Sequence, residues 1–104
     1  MHLITETIRC LEYNNKTVND VCWVGSQDGT LAITFQEFEK ISSFEYNSGF
    51  GGQVIASDLV VVGKDWWLER HEYDGSEWWE FKESPVKSMN AVGFNKVKGE
   101  LSFS

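Results

Sequence analysis

The chain has 104 residues, of which 41% are apolar and 14% aromatic. This length supports one hydrophobic core and is too short for a second. The apolar content excludes a disordered chain, because burying that much apolar surface offsets the entropy lost on ordering. Nine basic against 16 acidic residues give a net charge of −7. This charge disfavours nucleic acid and anionic membranes as direct partners and favours basic protein surfaces.

The sequence also bears on location. No window approaches the roughly 18 consecutive apolar residues of a membrane span. The N-terminus MHLITETIRCLEY lacks the basic segment and apolar run of a signal peptide. We therefore expect a cytoplasmic protein in which Cys10 and Cys22 remain thiols.

The N-terminal half contains signals for two helices and a hairpin. Apolar residues at helical spacing predict a helix over about residues 2–13, with Asn14-Asn15 as its stop. Short apolar runs at 21–24 and 31–33 flank a turn-rich segment and predict a first hairpin. Thr34 and Glu37 have the spacing of a capping box, so a second helix is expected from Thr34 through about Ser42.

The sequence of the C-terminal half predicts mainly β-strands. Three glycines in residues 47–52 predict a mobile loop. A phosphate cradle is the alternative, but such loops lie between a strand and a helix and usually bring a lysine. Residues 54–63, 64–73 and 76–83 predict a three-stranded meander that Pro85 ends. Residues 1–85 would form one domain, and the tail 86–104 would hold an edge strand near 91–94 or be partly disordered.

These elements define an α+β fold in which two helices pack on an antiparallel sheet that contains the meander and a tryptophan-rich hairpin. The apolar positions of the elements are expected to form the core: Ile4, Ile8, Leu11, Phe35, Phe38, Ile41, Val60, Val62, Leu68 and Phe81.

The segment 65–83 is the strongest functional signal in the chain. It holds four of the five tryptophans and seven acids against two bases, on either side of Asp74-Gly75. An Asp-Gly pair between strands predicts a type I′ turn. This turn would place Tyr73 opposite Ser76 and, further along, His71 opposite Trp78 and Arg70 opposite Trp79. Arg70 would then lie over Trp79 on the core side.

The other side of this hairpin is expected to bind a protein. It would carry Glu69 and Glu80 next to each other, and two adjacent carboxylates cannot form a dry core. Tryptophans beside charged groups are typical anchors of protein interfaces. The alternative is that another strand or the tail covers the tryptophans. We predict partner contacts at Trp67, Glu69, His71, Tyr73, Glu77, Trp78 and Glu80.

Two chemical alternatives remain open. Glu69 and Glu80 could act as the paired carboxylates of a hydrolase, although a short hairpin implies no cleft. His2, Cys10, Cys22 and His71 could bind zinc, but they lack the local C-x₂₋₄-C pairing of zinc sites. We expect no catalytic residue, no metal and no cofactor.

Asp65–Phe81, together with the upstream CWVGSQDG, ITFQEFEKI and FEYNSGFGGQVIASDLVVV, resembles small uncharacterised proteins encoded by phages and prophages of Gram-positive bacteria. The resemblance covers about residues 21–85. It implies a non-enzymatic accessory protein acting in the bacterial host, with the profile shared by many inhibitors of defence nucleases, including anti-CRISPR proteins. The implied partner is a nucleic-acid-handling protein such as a Cas nuclease. The resemblance assigns no role to any residue.

Overall fold

Helices cover one face of a five-stranded antiparallel sheet in the computed structural model of the chain, which describes residues 2–46 and 52–101. The strand order is β2-β1-β3-β4-β5, so the predicted α+β class and the β3-β4-β5 meander are confirmed. The elements in chain order are α1 (Leu3–Tyr13), β1 (Val21–Ser26), β2 (Ala32–Ile33), α2 (Phe35–Ile41), β3 (Leu59–Gly63), β4 (Trp66–Tyr73) and β5 (Ser76–Glu83), with a 3₁₀ turn at Val18–Asp20.

Helix α1 ends where the sequence predicts. Asn15 takes a φ of 60°, a left-handed conformation that asparagine tolerates better than most residues. This conformation brings the N–H of Lys16 to the carbonyl of Leu11 at 2.8 Å and the N–H of Asn15 to the carbonyl of Glu12 at 3.0 Å. Two carbonyls of the last turn are thus satisfied in a Schellman motif.

Helix α2 begins with the predicted capping box. The Glu37 N–H donates to Thr34 Oγ1 at 3.1 Å, and the Thr34 N–H donates to Glu37 Oε1 at 3.0 Å. The prediction that Ile41 is a core residue is wrong, because Ile41 is 67% exposed. At 100° per residue, the stripe that buries Phe35 and Phe38 returns at position 42 rather than 41. Ser42 is accordingly the buried residue there.

The β4–β5 hairpin forms in the predicted register. Asp74 and Gly75 have φ values of 52° and 85°, as a type I′ turn requires. The observed partners include Arg70 with Trp79, His71 with Trp78 and Glu69 with Glu80. Side chains therefore alternate between an inner face, on the side of the helices, and an outer face on the opposite side.

Strand β3 differs from its prediction in two respects. It begins at Leu59 rather than at 54, because the N–H groups of Val54 and Ile55 donate to the Glu77 carboxylate at 2.7 and 3.1 Å instead of joining the sheet. Val61 also pairs with Leu68. This register puts Val61 on the inner face and turns its neighbours Val60 and Val62, both predicted to be core, to the outer face. Val60 is nevertheless buried there, as predicted, and Val62 is half-buried.

The core lies between the helices and the inner face. The Trp79 indole N–H donates to Thr7 Oγ1 at 2.9 Å and holds α1 against β5. The predicted residues Leu11, Phe35, Phe38 and Leu68 are buried there, and Ile4, Ile8 and Phe81 pack against them partly buried. The buried apolar residues of this cluster are Leu3, Leu11, Val24, Phe35, Phe38, Tyr46, Ile55, Val61, Trp66, Leu68 and Trp79.

A buried charged cluster joins the inner face to its surroundings. The side chain of Arg70 is fully buried over the Trp79 ring, 4.7 Å from its centroid, as predicted. Its Nη1 bonds Glu6 Oε1 at 2.7 Å, and its Nη2 bonds Glu77 Oε1 at 3.2 Å and the Tyr46 hydroxyl at 3.0 Å. Desolvation and the hydrogen bond to Glu6 raise the pKa of Tyr46 to about 12. The cluster thus links α1, β4, β5 and the segment after α2.

The remaining segments bear on the domain boundary. Residues 84–101 contain no helix or strand, so the edge strand predicted near 91–94 is not formed. The glycine-rich loop predicted at 47–52 lies outside the described residues except for Gly52, and residues 102–104 of the tail lie outside them as well. Over 2–46 and 52–101, no helix is long and apolar enough to cross a membrane.

Candidate binding face

The outer face of the sheet brings together most of the predicted contact residues. Because antiparallel partners share a face, the register aligns side chains of four strands there. Both helices lie on the other side of the sheet, and Trp78 is exposed. The residues of this outer face are Trp23, Val60, Val62, Trp67, Glu69, His71, Tyr73, Trp78, Glu80 and Lys82.

Hydrogen bonds fix the aromatic rings of the outer face. The indole N–H of Trp67 donates to Glu69 Oε1 at 2.7 Å, and that of Trp78 donates to Glu80 Oε2 at 3.1 Å. His71 lies between the two carboxylates, with Nε2 at 2.6 Å from Glu69 Oε2 and Nδ1 at 3.5 Å from Glu80 Oε2. Its ring also stacks on Trp78 at a tilt of 27°. These side chains therefore form one connected network.

The network keeps both carboxylates ionised. The hydrogen bond from Trp67 is the main cause of a lowered pKa for Glu69, and the hydrogen bond from Trp78 has the same effect on the pKa of Glu80. Lys82 Nζ lies 3.4 Å from Glu80 Oε1 and compensates part of the charge. The outer face is negative at neutral pH, since Glu69 and Glu80 oppose only this one lysine.

An apolar groove adjoins the charged network. It is lined by Trp23, Gln27, Val60, Val62, Trp67 and Glu69. The groove has a volume of about 310 Å³. Trp23 enters it because β1 pairs with β3 and sets Trp23 opposite Val62. Our sequence analysis missed Trp23, since the pairing of β1 with β3 joins segments 33 or more residues apart and leaves no local signal.

One predicted contact residue lies on the wrong side. Glu77 pairs with Glu72 and points to the inner face, where only 3% of the residue is exposed. It binds Arg70 and the N–H groups of two loop residues, so it belongs to the buried cluster. Tyr73 is placed as predicted and is 77% exposed near the turn. Trp67 is half-buried, and Trp78 is the more open of the two tryptophans.

The proposed zinc ligands do not converge. Cys10 is half-buried on α1, where burial raises the pKa of its thiol, and Cys22 is exposed on β1. Within residues 2–46 and 52–101, no group of three or more His, Cys, Asp or Glu side chains is placed to hold a metal ion.

Comparison with models of protein families, with curated proteins and with solved structures found no match. No residue role is available by likeness, so the functional argument rests on the geometry of the outer face.

Proposed function

We propose that the outer face is a protein-binding surface that recognises a basic patch on a nucleic-acid-handling protein and blocks nucleic acid from reaching it. The observation that carries this proposal is the joined network of Trp67, Glu69, His71, Glu80 and Trp78 on the sheet face opposite the helices. The segment 65–83 alone carries a charge of −5, from seven acids and two bases. Electrostatic attraction of this kind speeds encounter with a basic surface.

Preorganisation strengthens the argument. Ordering a free side chain at an interface costs about 0.5–1.5 kcal/mol. Hydrogen bonds to Glu69 and Glu80 already fix the orientations of the Trp67 and Trp78 indoles. Most of this ordering cost is therefore met when the chain folds, and little of it is added on binding. An ionised carboxylate has about four acceptor sites, so each glutamate retains sites for an arginine or lysine of the partner.

The same geometry favours binding over hydrolysis. A carboxylate pair that hydrolyses glycosides needs one acid with a raised pKa, which stays protonated at working pH. Here the indole hydrogen bonds lower the pKa of both Glu69 and Glu80. Neither group is poised to donate a proton at neutral pH.

The class of partner follows from charge and from the resemblance to phage accessory proteins. A negative surface with exposed aromatics competes for sites that hold phosphate backbones. Inhibition of a host defence nuclease, in the manner of anti-CRISPR proteins, is the function that agrees with both the charge of the surface and the resemblance. A Cas nuclease or a restriction enzyme would be held at its nucleic-acid groove.

The test is binding of the purified chain to a panel of Cas nucleases and restriction enzymes, each with and without its nucleic acid. We expect binding to the nucleic-acid-free form and loss of binding once the groove is loaded. Trp67→Ala or Trp78→Ala should weaken binding by about 2 kcal/mol, or roughly 30-fold, chiefly through faster dissociation. Glu69→Lys with Glu80→Lys should slow association and reduce its dependence on salt.

Matched controls come from the helices. Tyr13 is 88% exposed at the end of α1, and Glu39 is exposed on α2. Tyr13→Ala and Glu39→Lys repeat the same kinds of change away from the outer face and should leave affinity unaltered. Equal losses for control and outer-face variants, or unchanged affinity for all three outer-face variants in folded protein, would refute the proposal.

A further inference from the structure

Strand β5 is an edge strand, and no strand of residues 2–46 and 52–101 pairs with its second side. A two-residue hairpin makes Tyr73 and Ser76 a hydrogen-bonded pair, and bonding to β4 then alternates along the strand. The backbone groups of Glu77, Trp79, Phe81 and Glu83 therefore point away from β4. No backbone hydrogen bond between described residues satisfies them. Such an edge is a template for another strand.

The segment 84–101, which we name the arm, combines exposed apolar residues with a positive charge. It is exposed throughout and carries three lysines against one acid. Its apolar side chains are between 60% and 102% exposed, the members being Val86, Met89, Val92, Phe94, Val97 and Leu101. The arm is thus apolar and basic, whereas the outer face beside β5 is aromatic and acidic.

The arm also extends away from its own sheet. The radius of gyration is 16.9 Å and the longest extent is 50 Å. A compact chain of this length has a radius of gyration of about 13 Å. An arm that projects from the body is placed to reach a second molecule rather than to cover its own edge.

We propose that the arm of one molecule pairs antiparallel with β5 of a second copy, and that two such exchanges form a closed dimer. Two-fold symmetry makes both contacts equivalent and leaves no open edge at β5. The charge pattern selects one register, with Lys96 opposite Glu80 and Lys98 opposite Trp78. Those two lysines then lie on the outer face, where an ion pair and a cation–π contact form. Val97 lies on the inner side, next to Trp79.

This dimer requires no other partner, so its mass and its hydrogen exchange are measured independently of the proposed function, although Glu80 and Trp78 belong to both surfaces. The first measurement is the mass of the full chain by light scattering and sedimentation, from micromolar to millimolar concentration. We expect a concentration-dependent dimer. Hydrogen exchange should then show alternate protection in the arm, with the amides of Gly93, Asn95 and Val97 slowed and those of Phe94 and Lys96 fast.

Charge exchange tests the register. Lys96→Glu with Lys98→Glu should weaken dimerisation about tenfold or more, because each of two symmetric contacts becomes repulsive. Lys96→Glu alone should account for most of this loss, and combining it with Glu80→Lys in one chain should restore dimerisation. Lys87→Glu is the control, since it makes the same charge change in the arm outside the paired residues, and it should leave the dimer intact.

The other outcomes overturn the proposal. A monomer with an unprotected arm at all concentrations shows that the edge stays open. A monomer with a protected arm shows that the arm pairs with its own β5. A dimer that is insensitive to Lys96→Glu with Lys98→Glu shows association through another surface.

Discussion

Replacing Glu77 tests how far the buried cluster supports the fold. The side chain of Glu77 is fully buried and accepts from Arg70 Nη2, Val54 N and Ile55 N at 3.2, 2.7 and 3.1 Å. Glu77→Ala leaves these three donors without that acceptor. Removing one partner of a buried ion pair costs about 3–5 kcal/mol. Since a domain of this size has a stability of roughly 5–15 kcal/mol, the variant should lose about a fifth or more of the total.

The assay is urea unfolding followed by tryptophan fluorescence. With a slope of about 1–3 kcal/mol per molar urea, the midpoint should fall by roughly 2 M. Glu77→Gln keeps one acceptor oxygen and the side-chain shape, so we expect an intermediate loss of about 2 kcal/mol.

Glu83 is the matched control, because it lies on the same strand and the same side but is exposed. Glu83→Ala should change the stability by no more than about 0.5 kcal/mol. A loss below roughly 1 kcal/mol for Glu77→Ala would refute the reasoning, since the loss of an acceptor for three donors would then cost no more than one ordinary hydrogen bond.

Three further predictions concern the backbone and one exposed carboxylate. An added Cβ at Gly25 would lie 1.9 Å from the Leu31 carbonyl oxygen. Gly25→Ala should therefore cost about 2 kcal/mol or more in urea unfolding, and a neutral result would show that the β1–β2 turn yields freely. Asn15→Gly should raise the thermal midpoint through a gain of about 0.5 kcal/mol, because glycine adopts a φ of 60° without strain; a lower midpoint would contradict this. Hydrogen bonds from Ser26 and Thr30 lower the pKa of Asp28 from 3.8 to about 2. Because the folded pKa is depressed, its contribution to stability is complete above pH 4 or so and disappears as the pH falls toward 2. An NMR titration of the Asp28 carboxyl checks this, and a midpoint near 3.8 would contradict it.

The local parts of the fold could be predicted from the sequence because their causes are local. Asp74-Gly75 fixes the turn type, the turn fixes the register, and strand alternation then assigns each side chain of β4 and β5 to a face. Thr34 and Glu37 likewise set the start of α2 within four residues. The same alternation predicts that one face of the hairpin carries Trp67, Glu69, His71, Trp78 and Glu80.

The long-range parts could not be predicted in this way. The β-branched residues before Leu59 favour a strand, but Glu77, more than twenty positions away, binds the N–H groups of Val54 and Ile55. Tertiary hydrogen bonds thus overrode local propensity. The contact of Glu6 with Arg70 spans 64 positions. No pattern in the sequence predicts such a contact, and no pattern predicts that Trp23 lines the groove.

The buried cluster also connects two segments of the chain that do not pair in the sheet. Tyr46, after α2, is joined to Arg70 through its hydroxyl, and Val54, before β3, is joined to Arg70 through Glu77. A change at this one guanidinium would therefore disturb both segments at once, so the chain on either side of the step from α2 to β3 is held to the sheet by a single side chain.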